Sequence, residues 1–311
     1  MTTPERVVPG PPRDLIGYGR RPPKVVWPAQ AKVAVNLVVN YEEGSEHYEH
    51  AGDATTDPLA EFNYAIDRRY RDFSIESVYE YGSRAGIWRL MRILDEYRVK
   101  ATVFACGMAL EANPEVGKAI QEAGHEPCAH GYRWSEPWLF SVEEERREIE
   151  LAVDAIRRTC GERPVGWYWR YSRSLHSRDL LAEEGGFLYD ADAYNDDLPY
   201  FVEVKGKDHL VVPYTQVYND IRFVVADGGV SGPGIFADFC KRALDELWRE
   251  GAAGYPKMMT VGLHPRLVGQ AGRASALREF IEHALEKSDV WFARRSDIAR
   301  WWLEHHHEFE R

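Results

Sequence analysis

Lys32-Val33-Ala34-Val35-Asn36-Leu37-Val38-Val39 runs directly into Asn40-Tyr41-Glu42-Glu43-Gly44. The first part is an apolar run rich in β-branched side chains, the pattern of a buried strand. Where the strand ends, two carboxylates and a glycine follow. Downstream the pattern alternates. The spacing of Ile87, Leu90, Met91 and Leu94 predicts a helix over 83–98. Ala101-Thr102-Val103-Phe104-Ala105 reads as a strand, and Asn113-Pro114 opens a helix over 115–123. A capping box starts another helix at Ser141, and Gly161 closes it. Strands at 166–169, 187–189, 257–263 and 290–292 alternate with helices at 177–184, 237–250 and 274–286, and Ser296 caps a last helix. This alternation implies an α/β fold with parallel strands covered by helices. A barrel and an open doubly wound sheet both satisfy it.

Two long aromatic-rich insertions, 44–80 and 192–231, break the pattern. Loops of that length in compact domains are usually functional. Residues 1–30 are proline-rich and without period. They read as an arm laid on the body or on a neighbouring subunit, or as a free tail. Residues 31–311 form one domain. The net charge of −11 argues against a broad nucleic-acid footprint. The four cysteines (Cys106, Cys128, Cys160 and Cys240) form no C-x-x-C pair and read as free thiols of a reducing compartment. No apolar run approaches the ~20 residues that span a bilayer. The first residues lack the apolar core of a secretory signal, so the expected location is cytoplasmic.

In barrels of this kind the active site lies at the C-terminal ends of the strands. There the sequence places Glu42-Glu43, His130-Gly131-Tyr132-Arg133-Trp134, Trp169-Arg170-Tyr171, Asp190 with Asp192, and His264-Pro265-Arg266. Titratable residues collected at one end of several strands point to an enzyme. A histidine near neutral pKa suits proton transfer to a leaving amine. His130-x-x-x-Trp134 has the shape of a His-x-x-x-His zinc motif whose second imidazole is an indole, which has no lone pair to offer a metal. The His305-His306-His307 run reads as a solvated terminus.

Together these motifs resemble carbohydrate esterase family 4, the polysaccharide deacetylases, from about residue 32 onward. The resemblance implies a distorted (β/α)7 barrel. The family motif Thr-Phe-Asp-Asp-Gly matches Asn40-Tyr41-Glu42-Glu43-Gly44, implying Glu42 as general base and Glu43 as the metal-ligand position. The motif His-Ser/Thr-x-x-His matches His130 to Trp134. The Leu-His motif matches Leu263-His264, implying His264 as general acid. With Trp134 in place of a histidine, a zinc site would keep only Glu43 and His130, where catalytic zinc usually has three protein ligands. Long segments, including Glu76-Ser77-Val78-Tyr79-Glu80-Tyr81-Gly82-Ser83-Arg84-Ala85-Gly86 and Val261-Gly262-Leu263-His264-Pro265-Arg266-Leu267, are similar to one branch of the superfamily, the metal-independent bacterial allantoinases. Members of that branch tend to be homotetramers, which implies a homotetramer here. Around 167–176 the match weakens, because Trp169 and Tyr171 replace small residues of the substrate wall.

The resemblance implies hydrolysis of an amide C–N bond without a cofactor, most directly ring opening of a cyclic ureide, amide or imide. Glu42 and His264 are expected to be the base and the acid, with Glu43 and His130 orienting water or substrate. Tyr41, Trp134, Trp169, Arg170 and Arg266 are the expected substrate-binding residues. Backbone N–H groups, Arg170 and the Trp134 indole are candidate donors to the oxyanion. The expected partner is a small molecule, with no nucleic acid and no membrane. Two other readings stay open: a zinc-dependent N-deacetylase, and an inactive barrel that binds a small molecule. The persistence of both Glu42 and His264 argues against the last.

Overall fold

A computed structural model describes residues 10–59, 66–67, 69–224 and 232–310. The first nine residues of the expected arm, and parts of both insertions, lie outside the described residues.

The apolar run forms strand β1 (Val33–Tyr41), buried at every position. It is the centre of the sheet. Strand β8 (Lys257–Leu263) pairs along one side, from Val33–Lys257 to Val39–Leu263. On the other side β2 (Thr102–Ala105) takes the C-terminal half of β1, and β9 (Val290–Phe292) takes the N-terminal end. The sheet continues through β3 (Glu126–Ala129), β4 (Gly166–Trp167) and β5 (Tyr189–Asp190) to β7 (Lys207–Val211) and β6 (Tyr200–Val204). Every pairing is parallel except the β6–β7 hairpin. The sheet curls into the distorted (β/α)7 barrel that the sequence led us to expect. Because the strands are parallel, their C-terminal ends all reach one rim.

The helices cover the outside. They are α1 (Phe73–Tyr81), α2 (Ile87–Glu96), α3 (Gly107–Ala112), α4 (Pro114–Glu122), α5 (Val142–Cys160), α6 (Ser177–Glu184), α7 (Pro233–Ala252), α8 (Ala271–Leu285) and α9 (Arg295–His305). Helix α5 starts at the expected capping box of Ser141 with Glu144 and stops at Gly161, whose φ is 73°. Three expectations need correction. The helix expected over 83–98 is one rod with α1, joined by a π-helical turn at Gly82–Gly86. The insertion at 192–231 contains the β6–β7 hairpin. Ser296 does not cap α9: its backbone N–H donates to Glu126 Oε2 at 2.8 Å, while Asp297 accepts from the Arg294 N–H at 3.0 Å.

The described end of the arm lies on the body. Val25 and Trp27 are buried in a core cluster with Met258 and Trp302. The Trp27 indole donates to the Lys257 carbonyl at 3.1 Å, which ties the arm to the start of β8.

Candidate active site

At the end of β1 the chain turns through Gly44, whose φ of 95° is a backbone conformation that side chains with a β-carbon disfavour. Successive strand residues face opposite ways, and the two carboxylates separate accordingly. Glu42 enters a cavity of about 140 Å3 that it shares with His130, Trp134, Arg170, His264 and Arg266. Glu43 turns behind it and accepts from the Glu42 N–H at 3.1 Å and the Arg266 N–H at 3.2 Å. It packs on Gly82 of the π-turn, where a β-carbon would come within 2.3 Å of Glu43 Oε1.

Glu42 is buried and surrounded by nitrogen. Its Oε1 lies 3.2 Å from His130 Nε2 and 3.7 Å from His264 Nε2. Its Oε2 lies 2.7 Å from Arg266 Nη2. Burial pushes the Glu42 pKa up, but Arg266, His264 and the hydrogen bonds from both histidines outweigh it and hold the carboxyl well below its ordinary value. Glu42 is therefore ionised at neutral pH. Glu43, with burial and Glu42 against it and Arg266 for it, is pushed up to about 7.

His264 follows β8, and its partner comes from a short 3-10 turn at Asp220–Phe223. Asp220 Oδ1 accepts from His264 Nδ1 at 2.6 Å. Its Oδ2 accepts from the His264 N–H at 2.6 Å and the Val268 N–H at 3.1 Å. Burial pulls the His264 pKa down, but Asp220 and Glu42 together lift it to about 9. At neutral pH His264 is an imidazolium that points Nε2 at Glu42. His130 is fixed from behind: Nδ1 donates to the Tyr168 carbonyl at 2.8 Å, and the ring stacks on Tyr168 at 5.0 Å and 17°. The site thus pairs an ionised acid with a protonated base, the opposed assignment that acid–base catalysis uses.

Two residues expected at the substrate lie elsewhere. Tyr41 alternates to the helix side of β1, and its hydroxyl meets Ser83 Oγ at 2.8 Å. Trp169 is wholly buried and packs edge-on against Trp167 at 4.8 Å, behind the cavity wall. Glu43 also lies outside the cavity, for the reason of alternation given above. Arg170 lines the cavity, but its guanidinium is committed to holding loops together. Nη1 donates to Asp57 (3.0 Å) and the Trp134 carbonyl (2.8 Å), and Nη2 to Asp57 (2.6 Å). The group lies 3.8 Å over the Trp134 ring. Asp220, Tyr168, Asn40, Tyr214, Gln216 and Asn219 complete the cavity and its support, and the sequence did not single them out. Asp220, Tyr214, Gln216 and Asn219 lie in the 192–231 insertion, where no periodicity marks one polar residue above another. His125 is structural. Its Nδ1 accepts from the Ala101 N–H at 3.0 Å, and burial lowers its pKa to about 4.

The sequence pattern of the polysaccharide deacetylases matches residues 67–189. A Schizosaccharomyces pombe protein assigned to the polysaccharide deacetylases is 38% identical over 314 residues, spanning 94% of this chain and 98% of that protein. The chain belongs to the polysaccharide deacetylase family. A Pseudomonas aeruginosa structure assigned to the same family superposes with a TM-score of 0.89 at 45% identity, covering 95% of this chain and 99% of that one. The structure of PuuE allantoinase superposes equally well, with a TM-score of 0.89, 44% identity and coverage of 95% and 98%. This member of the polysaccharide deacetylase family is a hydrolase acting on carbon–nitrogen bonds other than peptide bonds. Among the described residues no helix is long and apolar enough to cross a membrane.

The family's zinc does not fit the residues present. Trp134 has no lone pair to give. Glu43 spends its oxygens on two backbone N–H groups, and Arg266 places a fixed cation 2.7 Å from Glu42 and 3.6 Å from Glu43. A divalent ion here would face that guanidinium with two ligands at most. No set of three or more His, Cys, Asp or Glu side chains among the described residues is arranged to hold a metal.

Proposed function

We propose that the protein opens a cyclic amide, imide or ureide ring by hydrolysing its C–N bond, with no metal in the chemical step. The observation that carries this reading is Arg266, a permanent cation 2.7 Å from the general-base carboxylate, in a site whose zinc-ligand set is incomplete. Similarity to PuuE allantoinase along nearly the whole chain supports it. Glu42 takes a proton from water, and the water oxygen bonds to the carbonyl carbon. As the tetrahedral centre collapses, the C–N bond breaks and His264 gives its Nε2 proton to the leaving nitrogen. The ring opens to a carboxylate and an amine or amide. His130 and Arg266 hold Glu42 in place. A cavity of about 140 Å3 suits a single small ring and excludes a glycan chain from full enclosure.

The test is ring opening of hydantoin, allantoin, dihydrouracil and succinimide by protein dialysed against chelator and shown by elemental analysis to be metal-free. Turnover that zinc does not increase is the expected result. Activity that appears only with stoichiometric zinc, on N-acetylated sugars, would overturn the proposal in favour of a metal-dependent deacetylase. The protein is further proposed to act in the cytoplasm as a homotetramer, which fractionation and light scattering would test.

A further inference from the structure

The carbonyl oxygen of the substrate gathers negative charge as water attacks, and without a metal some hydrogen-bond donor has to meet it. Tyr214 is 2% exposed. Its hydroxyl sits over the Cα of Gly262, where a β-carbon would come within 2.2 Å of it. Two side-chain amides donate to that oxygen, Asn219 Nδ2 at 3.0 Å and Asn40 Nδ2 at 3.2 Å. Neither amide is free to turn round. Asn219 Oδ1 accepts the Ile221 N–H at 2.9 Å, and Asn40 Nδ2 also donates to the Leu263 carbonyl at 3.3 Å. Both contacts therefore use the phenol oxygen as an acceptor. Its own proton has no acceptor among the described residues.

The neighbouring phenol is different. Tyr194 donates to the Tyr171 carbonyl at 2.9 Å, so in the 2.7 Å contact between Tyr194 and Tyr168 the proton is Tyr168's. Gln216 then donates to Tyr168 at 3.2 Å, and every proton in that chain is spoken for. Of the two buried tyrosines that line the cavity with Glu42 and His264, Tyr214 alone has a proton left to give. Burial also raises its pKa, so it stays a neutral donor.

We propose that Tyr214 is a catalytic hydrogen-bond donor, giving its O–H to the carbonyl oxygen of the scissile amide as the tetrahedral centre forms. Asn40 and Asn219 are positioning residues that aim it. The proposal rests on the reading of this cavity as the site of C–N hydrolysis.

The experiment compares wild type, Tyr214→Phe, Asn219→Asp and the double variant on hydantoin, allantoin, succinimide and an N-acetylglucosamine oligomer. Removal of one oxyanion donor typically costs about 100- to 1,000-fold in kcat, and that loss, with KM nearly unchanged, is expected for Tyr214→Phe. Asn219→Asp keeps the cap on the Ile221 N–H but offers Tyr214 a carboxylate, which draws the proton away from the substrate. It should lose kcat similarly, and the double variant should be no worse than Tyr214→Phe alone. A kcat unchanged in Tyr214→Phe overturns the donor role and leaves ring opening standing. Turnover of the acetylated sugar alone, still lost in Tyr214→Phe, overturns ring opening and keeps the donor. Should wild type turn over none of these, the carbonyl stretch of bound 13C-hydantoin carries the test. A shift to lower frequency that vanishes in Tyr214→Phe supports the donor. No binding, or no difference, overturns it.

Discussion

The chemistry of this site depends on which proton sits where. Glu42 is held ionised by Arg266, and His264 is held protonated by Asp220. For the free enzyme, kcat/KM should therefore fall above a pH of about 9 as His264 loses its proton, with no acid limb in the ordinary carboxylate range. Asp220→Asn removes the main group that raises His264, so the alkaline limb should shift to lower pH; an unmoved limb would show that His264 is not the acid. Arg266→Met removes the cation that offsets the burial of Glu42. The Glu42 pKa should rise, a new acid limb should appear, and activity at neutral pH should drop, all read from the same pH series. Glu42, His130 and His264 were legible in the sequence because each follows a strand at the same rim. Arg266 was legible as a candidate substrate-binding residue beside His264, but its place between the two glutamates was not. Asp220 was not legible at all, because a carboxylate that approaches His264 from a separate loop leaves no spacing to read.

At the scale of elements, the segment that backs the site is the π-helical turn at Gly82–Gly86 between α1 and α2. The sequence suggested a helix there, since the 3.6-residue period of Ile87 to Leu94 is strong. An extra residue in one turn does not disturb that period enough to be seen. Its glycines have a steric reason: a β-carbon at Gly82 would lie 2.3 Å from Glu43 Oε1 and 2.6 Å from Glu43 Cγ. Gly82→Ala should push Glu43 off the Arg266 N–H and disturb Arg266 in turn. Overpacking of this kind costs about 1–3 kcal/mol, and activity should fall with the loss of stability in thermal melts. Gly272→Ala is the contrast. It lies in α8 with open space around it, so the helix should gain up to about 1 kcal/mol with activity intact. Equal effects at the two glycines would sink the packing argument. The hairpin β6–β7 lies inside the insertion that the sequence suggested was a loop; its signal is the Lys205-Gly206 turn, with φ of 51° and 74°, between the runs Tyr200-Phe201-Val202 and Leu210-Val211-Val212, which are too short to stand out beside the long buried strands.

For the whole molecule, the barrel was legible because its buried strands are largely apolar runs, β1 and β8 above all, while composition left open whether the arm lies on the body, and the docking of Trp27 on β8 decides that for its last residues. The same closed core makes stability a readout of the site. The His264 pKa is about 9 in the folded chain, against about 6.5 when unfolded. The folded state binds the proton more tightly, so its contribution is fully present below pH 6.5 and is lost as pH rises through 9, up to about 3 kcal/mol in all. Other groups drift in overlapping windows. Glu43 and Glu46, each pushed up to about 7, lose stability as pH rises from the ordinary carboxylate range. The buried thiols Cys160 and Cys240, pushed up to about 11 and about 12, add a loss once unfolded thiols ionise. The Glu46 and thiol drifts are common to wild type and to His264→Gln, while Glu43, whose carboxyl His264 also holds down, responds to the substitution. The difference between their denaturant-melt stabilities, measured from pH 6 to 10, should therefore report His264 with the carboxylates coupled to it: wild type should lose its advantage between pH 6.5 and 9, and parallel curves would mean that the Asp220–His264–Glu42 array holds no extra proton in the folded state.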